Sequence, residues 1–425
     1  MALASDVPKD GFRLSMLVYD TRYRAVTIQV VVLLLFAAFL AWLLNNTAQN
    51  LAIRGKEFNF GFLWQRAGYD IGQQLIPYSN DSNHFRALLV GLANTLVVAV
   101  LGCILATVLG VMIGVLRLSR NWLVARLMTV YVEMFRNVPL LLWILLSYVI
   151  LSETTPAPSA FKVTPEMTEA GTAPAASMML GDTVAITNRG MNVPSPLFTR
   201  DPGALDLGFL SLDLTFPAFL VVIVGSFWIN RAVLTHARKA QEQTGVRPVT
   251  WWKSILILCA PFILLCLALG LHWEIPELKG FNFRGGILVA HSFTALLIAL
   301  TLYTAAFIAE AVRSGIMAIS RGQSEAAFAL GLRPGRTMNL VILPQALRVI
   351  IPPLISQYLN LTKNTSLGIA VSYLDLRGTL GGITLNQTGR ELECMLLMML
   401  IYLTISLTIS VIMNAYNKSV QIKAR

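Results

Sequence analysis

The residues able to do chemistry in this 425-residue chain are few, and they sit mostly at the edges of apolar runs. Glu133 and Arg136 lie one helical turn apart, as do Glu310 and Arg313, so each pair can close an ion pair on one helix face. The first reads as an edge salt bridge that fixes a gate helix, the second as a structural pair ending an apolar run. Lys363, Asn364, Thr365 and Ser366 follow a stretch that Pro352 and Pro353 must bend or break. A lysine beside an interrupted helix, with freed backbone groups and hydroxyls nearby, can coordinate a carboxylate or line a polar path. Packing or snorkelling is the alternative reading. Asn94, Thr95, Tyr303 and Thr304 are the other polar groups inside apolar runs, open equally to facing such a path or to interhelical hydrogen bonds.

Catalysis finds little support. A phosphate-cradling loop needs GxxxxGK[ST], but Gly55-Lys56 has Asn50 at the required glycine and Glu57 after it. No GxSxG elbow, Cys/His dyad or paired carboxylates on one short helix occur. Cys103, Cys259, Cys266 and Cys394 fall in apolar runs without CxxC spacing, so neither a disulfide nor a metal site is expected. His84, His236, His272 and His291 are far apart, lack HExxH spacing and read as polar rim residues. Energy for any directed process must come from another chain or an ion gradient.

The elements that position these residues are set by composition. Hydrophobic residues make up 56% of the chain and charged ones 13%, far more apolar surface than a globular domain needs. The chain is therefore expected to be an all-α polytopic membrane protein. Its net charge of +11 is scattered through short loops without an aromatic-basic platform, which argues against nucleic-acid binding. The run 27–44 follows a polar tail, 1–26, without a cleavage pattern, and reads as an anchor. Seven further runs can each span a bilayer: 88–116, 127–151, 214–230, 254–271, 287–312, 343–362 and 394–417. About eight transmembrane helices put both ends on one side. Segments on that side carry 19 Lys and Arg against 12 in the longer loops opposite, so both ends are expected in the cytoplasm.

Two regions stand outside the spans. Residues 45–86 mix Phe58, Phe60, Phe62, Leu63 and Trp64 with polar residues and read as a periplasmic segment lying at the interface. Residues 152–213 hold Pro156, Pro158, Pro165, Pro174, Pro194, Pro196 and Pro202, too closely spaced for long helices, and read as a compact periplasmic excursion.

The stretch 320–344, SRGQSEAAFALGLRPGRTMNLVILP, is a polar interlude between apolar runs on the expected cytoplasmic side. Ser320 with Gln323 forms a capping-box pattern, and Gly331 supplies a left-handed stop. Arg333 precedes Pro334, which suits the first position of a second helix running to Pro344. Ala326, Ala327 and Ala329 give the first helix a slim face, and Phe328 and Leu330 offer anchors, so the stretch reads as a docking element.

Glu325-Ala326-Ala327, three residues, Gly331, ten residues and Ile342-Leu343-Pro344 together resemble the EAA loop of bacterial ABC-type importer permeases. The runs YTAAFIAEAVRSGI, GQSEAAFALGL, LPQALRVIIPPL and LTKNTSLGIAV resemble the polar amino-acid branch of that family, and within it the broad-specificity general L-amino-acid permeases of Gram-negative bacteria. The resemblance covers about 87–416. It implies a type I ABC importer core of five helices plus one N-terminal helix and two inserted ones, the insertion being 152–286, in the bacterial inner membrane. It further implies a second permease subunit, a paralogue giving a heterodimer, two copies of a cytoplasmic ATPase that bind ATP and Mg, and a periplasmic amino-acid-binding protein. No cofactor is expected in this chain. Glu325, Ala326, Ala327, Phe328 and Gly331 are the ATPase-coupling candidates. A self-contained secondary transporter or channel, the alternative class, would predict an internal repeat and mid-span carboxylates, and neither is visible.

Overall fold

A computed structural model describes residues 16–53, 58–163, 174–200, 203–206, 211–246 and 248–420. Residues 1–15 of the tail, Pro165 and Pro202 lie outside them. Long apolar runs become long helices, because inside a bilayer every backbone N–H and C=O must be bonded within the segment. They are α1 (Thr21–Ile53), α2 (His84–Leu116), α3 (Trp122–Asn137), α4 (Leu140–Glu153), α5 (Thr215–Thr244), α6 (Trp251–Ala268) and α7 (His291–Met317). After them come α8 (Arg321–Ala329), α9 (Pro334–Thr337), α10 (Leu343–Asn364) and α11 (Glu391–Val420).

The core forms around α7, which packs on α2, α3, α4 and α10. Leu296, Leu300, Ile308, Val98 and Ile144 are fully buried there with Leu361 of α10. Helices α2 and α7 run in the same direction and approach closely along small residues. A Cβ added at Gly110 would lie 2.7 Å from Cβ of Ile308, and one at Gly114 would lie 2.7 Å from the Ala309 carbonyl oxygen. Small residues permit this approach, and van der Waals contact between the backbones then replaces the hydrophobic drive that lipid removes.

The third expected span, 127–151, is two helices that meet at 106°. Its cause is Pro139: Val138 before it is held extended (φ −103°, ψ 135°), and α4 restarts at Leu140. Among the described residues seven helices are long and apolar enough to cross a membrane, or eight if α3 and α4 make one bent span. Helix α1 extends beyond the run 27–44 at both ends, and none of its apolar window is buried.

The expected excursion is a small β unit shared by two loops. Strands β1 (Ala185–Thr187), β2 (Gly190–Val193), β3 (Ser195–Phe198), β4 (Ala204–Asp206) and β5 (Ser211–Asp213) come from the first. The second, between α6 and α7, supplies β6 (Leu271–Glu274), β7 (Glu277–Lys279), β8 (Asn282–Arg284) and β9 (Ile287–Val289). β2 lies between β1 and β9, all antiparallel, and β3 pairs with β6. Ile287–Val289 and Leu271, expected inside spans, are therefore strand residues, because their backbones find partners across the loops before a helix can start. Helices α5 and α6 pack on each other at the periphery, turned by Gly245 in the left-handed region (φ 73°).

Residues 59–83 pack on the core through part of their side chains, while Phe60, Trp64 and the preceding Phe58 stay exposed. Phe62 is buried against Leu88, Leu376, Leu380 and Cys394, while Ala67 and Ile71 pack on Ala87 and Val90. His84 and His291, expected at a polar rim, are buried as the first residues of α2 and α7. They hydrogen-bond Thr384 Oγ1 (3.1 Å) and the Thr187 carbonyl (2.6 Å).

Replacing Gly110 by Val is expected to lower the stability of the purified chain by about 1–3 kcal/mol, the scale of overpacking. Gly225→Ala, where no atom lies within 4 Å of the added carbon, should leave the thermal midpoint within a degree or two, on the order of a surface change. Equal midpoints for Gly110→Val and wild type would contradict the close approach of α2 and α7.

Candidate coupling element and the polar groups behind it

Helix α8 starts at Ser320, whose backbone is extended (φ −61°, ψ 141°), yet the capping box does not form: Ser320 makes no side-chain cap bond. Gln323 instead accepts from Gln345 Nε2 (3.3 Å), tying α8 to α10. The stop is as the sequence predicts. Gly331 has φ 74°, its N–H bonds Phe328 O (2.9 Å), and the Leu332 N–H bonds Ala327 O (3.1 Å), the paired bonds of a Schellman motif. Nothing lies within 4 Å of a Cβ at Gly331, so glycine is required there by φ, not by crowding. Arg333 is extended and Pro334 opens α9. The second helix does not end at Pro344. A wide π turn, Met338–Ile342, joins α9 to α10, immediately before the position where Pro344 has no N–H to bond Leu340.

Of the slim face, only Ala327 is buried, while Glu325, Ala326 and Ala329 are exposed. Phe328 is 50% exposed and Leu330 81%. Apolar side chains thus flank an exposed carboxylate at the tip of a short helix anchored by its own backbone bonds. That arrangement suits insertion into a groove on a partner.

Two turns before the end of α7, Glu310 accepts from Arg313 Nη2 (2.6 Å) and Nε (3.2 Å), the expected pair. Arg117, at the end of α2, makes a second and shorter ion pair with Glu310 that the sequence reading did not include. Its side chain is only 8% exposed, and one carboxylate holds two guanidinium groups across two helices. Glu133 and Arg136 do not pair. Glu133 accepts from Asn137 Nδ2 (3.3 Å), and Arg136 lies over the Phe307 ring at 5.5 Å. Both are exposed on α3, where water competes with a one-turn pair and the aromatic face of α7 offers Arg136 a better neighbour.

The polar groups proposed for a path are divided by the fold. Asn94 and Thr95 are buried pins: Asn94 Nδ2 donates to Gln73 O and Leu374 O (both 2.9 Å), and Thr95 Oγ1 accepts from the Leu376 N–H (3.0 Å). Thr304 is buried, and Tyr303 stacks near Phe307 with centroids 5.0 Å apart. Pro352 and Pro353, both exposed, do not break α10, which runs unbroken to Asn364; a transmembrane helix tolerates proline where local adjustment re-satisfies the freed groups. Lys363 is exposed, Asn364 half-buried, and Thr365 is buried with Oγ1 donating to Thr362 O (2.8 Å).

The family described as "Binding-protein-dependent transport system inner membrane component" matches residues 207–422. The chain belongs to that family. It is 68% identical, over all of both chains, to the glutamate/glutamine/aspartate/asparagine transport system permease protein BztB of Rhodobacter capsulatus. It is 42% identical to the general L-amino acid transport system permease protein AapQ of Rhizobium johnstonii, over 98% of this chain and 96% of that one. With YhdX of Escherichia coli, a putative amino-acid ABC transporter permease protein, it shares 41% identity over 95% of each. It is thus a helical, multi-pass transport permease.

In this permease the segment between α10 and α11 is the least legible part. It packs as a 3-10 turn (Thr365–Val371), a helical turn (Leu376–Gly378) and a π turn (Thr379–Thr384). Asp375 there is fully buried. It caps the turn by accepting from the Gly378 N–H (2.9 Å) and accepts from Tyr402 Oη (3.3 Å). A Cβ at Gly91 would lie 2.8 Å from its carbonyl oxygen. The available signal was the apolar content of 367–376, which a solvated loop would not carry. Burial pushes the Asp375 carboxyl up to about 6, against the opposing hydrogen bonds from Gly378 and Tyr402.

The folded protein therefore holds that proton where the unfolded chain has lost it, so this group's stabilising contribution is full below about pH 4 and falls as pH rises to about 6. Thermal unfolding of wild type and Asp375→Asn across that range should show wild type losing stability relative to the variant. A constant difference would contradict the buried carboxyl. Glu310→Gln is expected to destabilise by about 2 kcal/mol, the scale of hydrogen bonds to charged groups. A double-mutant cycle with Arg117→Gln should return a coupling clearly above zero, and additive effects would remove the interhelix pair.

Proposed function

We propose that this permease is the membrane-spanning subunit of an ATP-driven, binding-protein-dependent importer of L-amino acids, with glutamate, aspartate and their amides as the first substrates to test. The observation that supports it most is α8, a short helix closed by Gly331 that presents Phe328, Leu330 and Glu325 outward while its base is tied to α10 through Gln323. In this reading α8 sits in a groove of a cytoplasmic ATPase. Phe328 and Leu330 fill the apolar part, Glu325 makes polar contacts at the rim, and Ala326 and Ala327 keep the helix slim. Two such ATPases bind and hydrolyse ATP with Mg, and this chain is the non-catalytic partner. A paralogous permease completes the pathway, a periplasmic binding protein delivers substrate, and rigid-body motion of the two cores alternates access.

The excess of basic residues on the α8 side supports a reading in which both ends of the chain and α8 lie in the cytoplasm of a bacterial inner-membrane protein, with the β unit outside. The domain division follows: tail 1–26, anchor helix 27–44, outer segment 45–86, permease 87–416 interrupted by 152–286, and tail 417–425. Lys363 is the candidate for a substrate carboxylate, since it is exposed at the end of α10 with no ion pair among the described residues.

The test is substrate-stimulated ATP hydrolysis by the chain co-expressed with its neighbouring permease, ATPase and binding protein, comparing wild type with Gly331→Val. A side chain at φ 74° costs roughly 1–2 kcal/mol and misdirects α8. Stimulation should fall at least about tenfold, the factor for 1.4 kcal/mol, and the ATPase should no longer co-purify. Unchanged stimulation and assembly would remove α8 from the ATPase interface.

A further inference from the structure

The hairpin of α5 and α6 is among the parts least covered by the rest of the chain, with 6% and 0% of the apolar windows of its two helices buried. Helix α5 has 30 residues and is thus about 45 Å long, whereas the hydrocarbon layer is about 30 Å thick. Its last third must project past the apolar layer. The basic stretch opens at Arg231, about one turn before that third, and continues with His236, Arg238 and Lys239 inside it. Arg231, Thr235, His236 and Lys239 line one shallow pocket of about 350 Å³ with Trp228 as its apolar wall, and Arg231 and Arg238 line another of about 250 Å³ beside it. Among the described residues none of these cations is in an ion pair, and Glu242, the one carboxylate on this part of α5, makes none either. Toward the membrane the surface continues as exposed Val221, Val224 and Phe227, beside Trp228 at 70% exposure. Across the turn, Trp251 is 68% exposed and Lys253 stands 5.4 Å from the Trp252 ring.

Unpaired cations and a hydroxyl at the end of an apolar strip, bordered by indoles, match one ligand shape: a phosphodiester with hydrocarbon chains attached. A soluble anion would use the cations but not the strip. We propose that this end of α5 binds the headgroup of an anionic phospholipid such as phosphatidylglycerol, with its acyl chains lying along the exposed face of α5. The hairpin that the family's five-helix core does not need thereby becomes a lipid-reading flank of the permease.

The test is native mass spectrometry of the full chain in mild detergent, mixed with equal amounts of phosphatidylglycerol and phosphatidylcholine. Wild type should retain phosphatidylglycerol preferentially. Arg231→Gln/Arg238→Gln/Lys239→Gln should weaken that retention about a hundredfold, at about fivefold for each cation near the membrane surface. Arg120→Gln/Arg126→Gln/Lys418→Gln, an equal loss of charge elsewhere, should leave it unchanged. Equal retention of both lipids by wild type, equal loss in both triple variants, or displacement of the lipid by excess inorganic phosphate would each overturn the proposal. Should the first variant fail to elute as wild type does, the wild type decides alone: phosphatidylglycerol retention must fall as ionic strength rises, and retention indifferent to salt refutes it.

Discussion

The close approach of α2 and α7 is the constraint on which the other contacts depend. In lipid, two apolar helices gain little from merely touching, since the acyl chains offer the same contact. What favours association is backbone proximity, and Gly110 and Gly114 against Ile308 and Ala309 provide it. With that distance set, Arg117 at the end of α2 falls beside Glu310 on α7. At the other end, Asn94 and Thr95 reach the turn at 374–376. Wider packing would leave the Arg117 guanidinium and several peptide groups buried without partners, each costing a few kcal/mol. The polar contacts are therefore dependent on the glycines, and they also penalise any sliding of one helix against the other.

A second constraint acts on the irregular segment between α10 and α11. Backbone in short turns that is buried from water survives only where protein satisfies its polar groups. Asp375 does so with its side chain, Asn94 with its amide and Thr95 with its hydroxyl. Residues 59–83 cover the outside of the same segment through Phe62. The N-terminal extension thus acts as a lid on the core.

The division between legible and hidden features follows locality. Span positions, the Gly331 stop and the Glu310–Arg313 pair each depend on residues within one or two turns, and the sequence alone is enough for them. The bend at Pro139 is also local, but the apolar run around it masks the break. Pairing of β2 with β9 joins Met191 to Val289 across two helices, a contact with no short-range signal, so Ile287–Val289 looked like the start of a span. Gln323 matches a capping box by spacing, yet its side chain serves α10, because Gln345 is brought near by the fold. Glu133 and Arg136 have ideal spacing and still choose other neighbours. Spacing identifies who can meet, and exposure decides whether the meeting is worth making.

Pro334–Val371 is a continuous helical element of 38 residues, α10 with a π turn before it and a 3-10 turn after it, about 57 Å from end to end at the α-helical rise. Pro352 and Pro353 lie inside it without hinging it. A rod of that length behaves as a lever. Rotating it by about 5° about one end sweeps the other by about 5 Å at the same rise per residue, nearly a full helical turn. A small rotation applied at the α8 end of so long an element would therefore arrive enlarged beside Lys363.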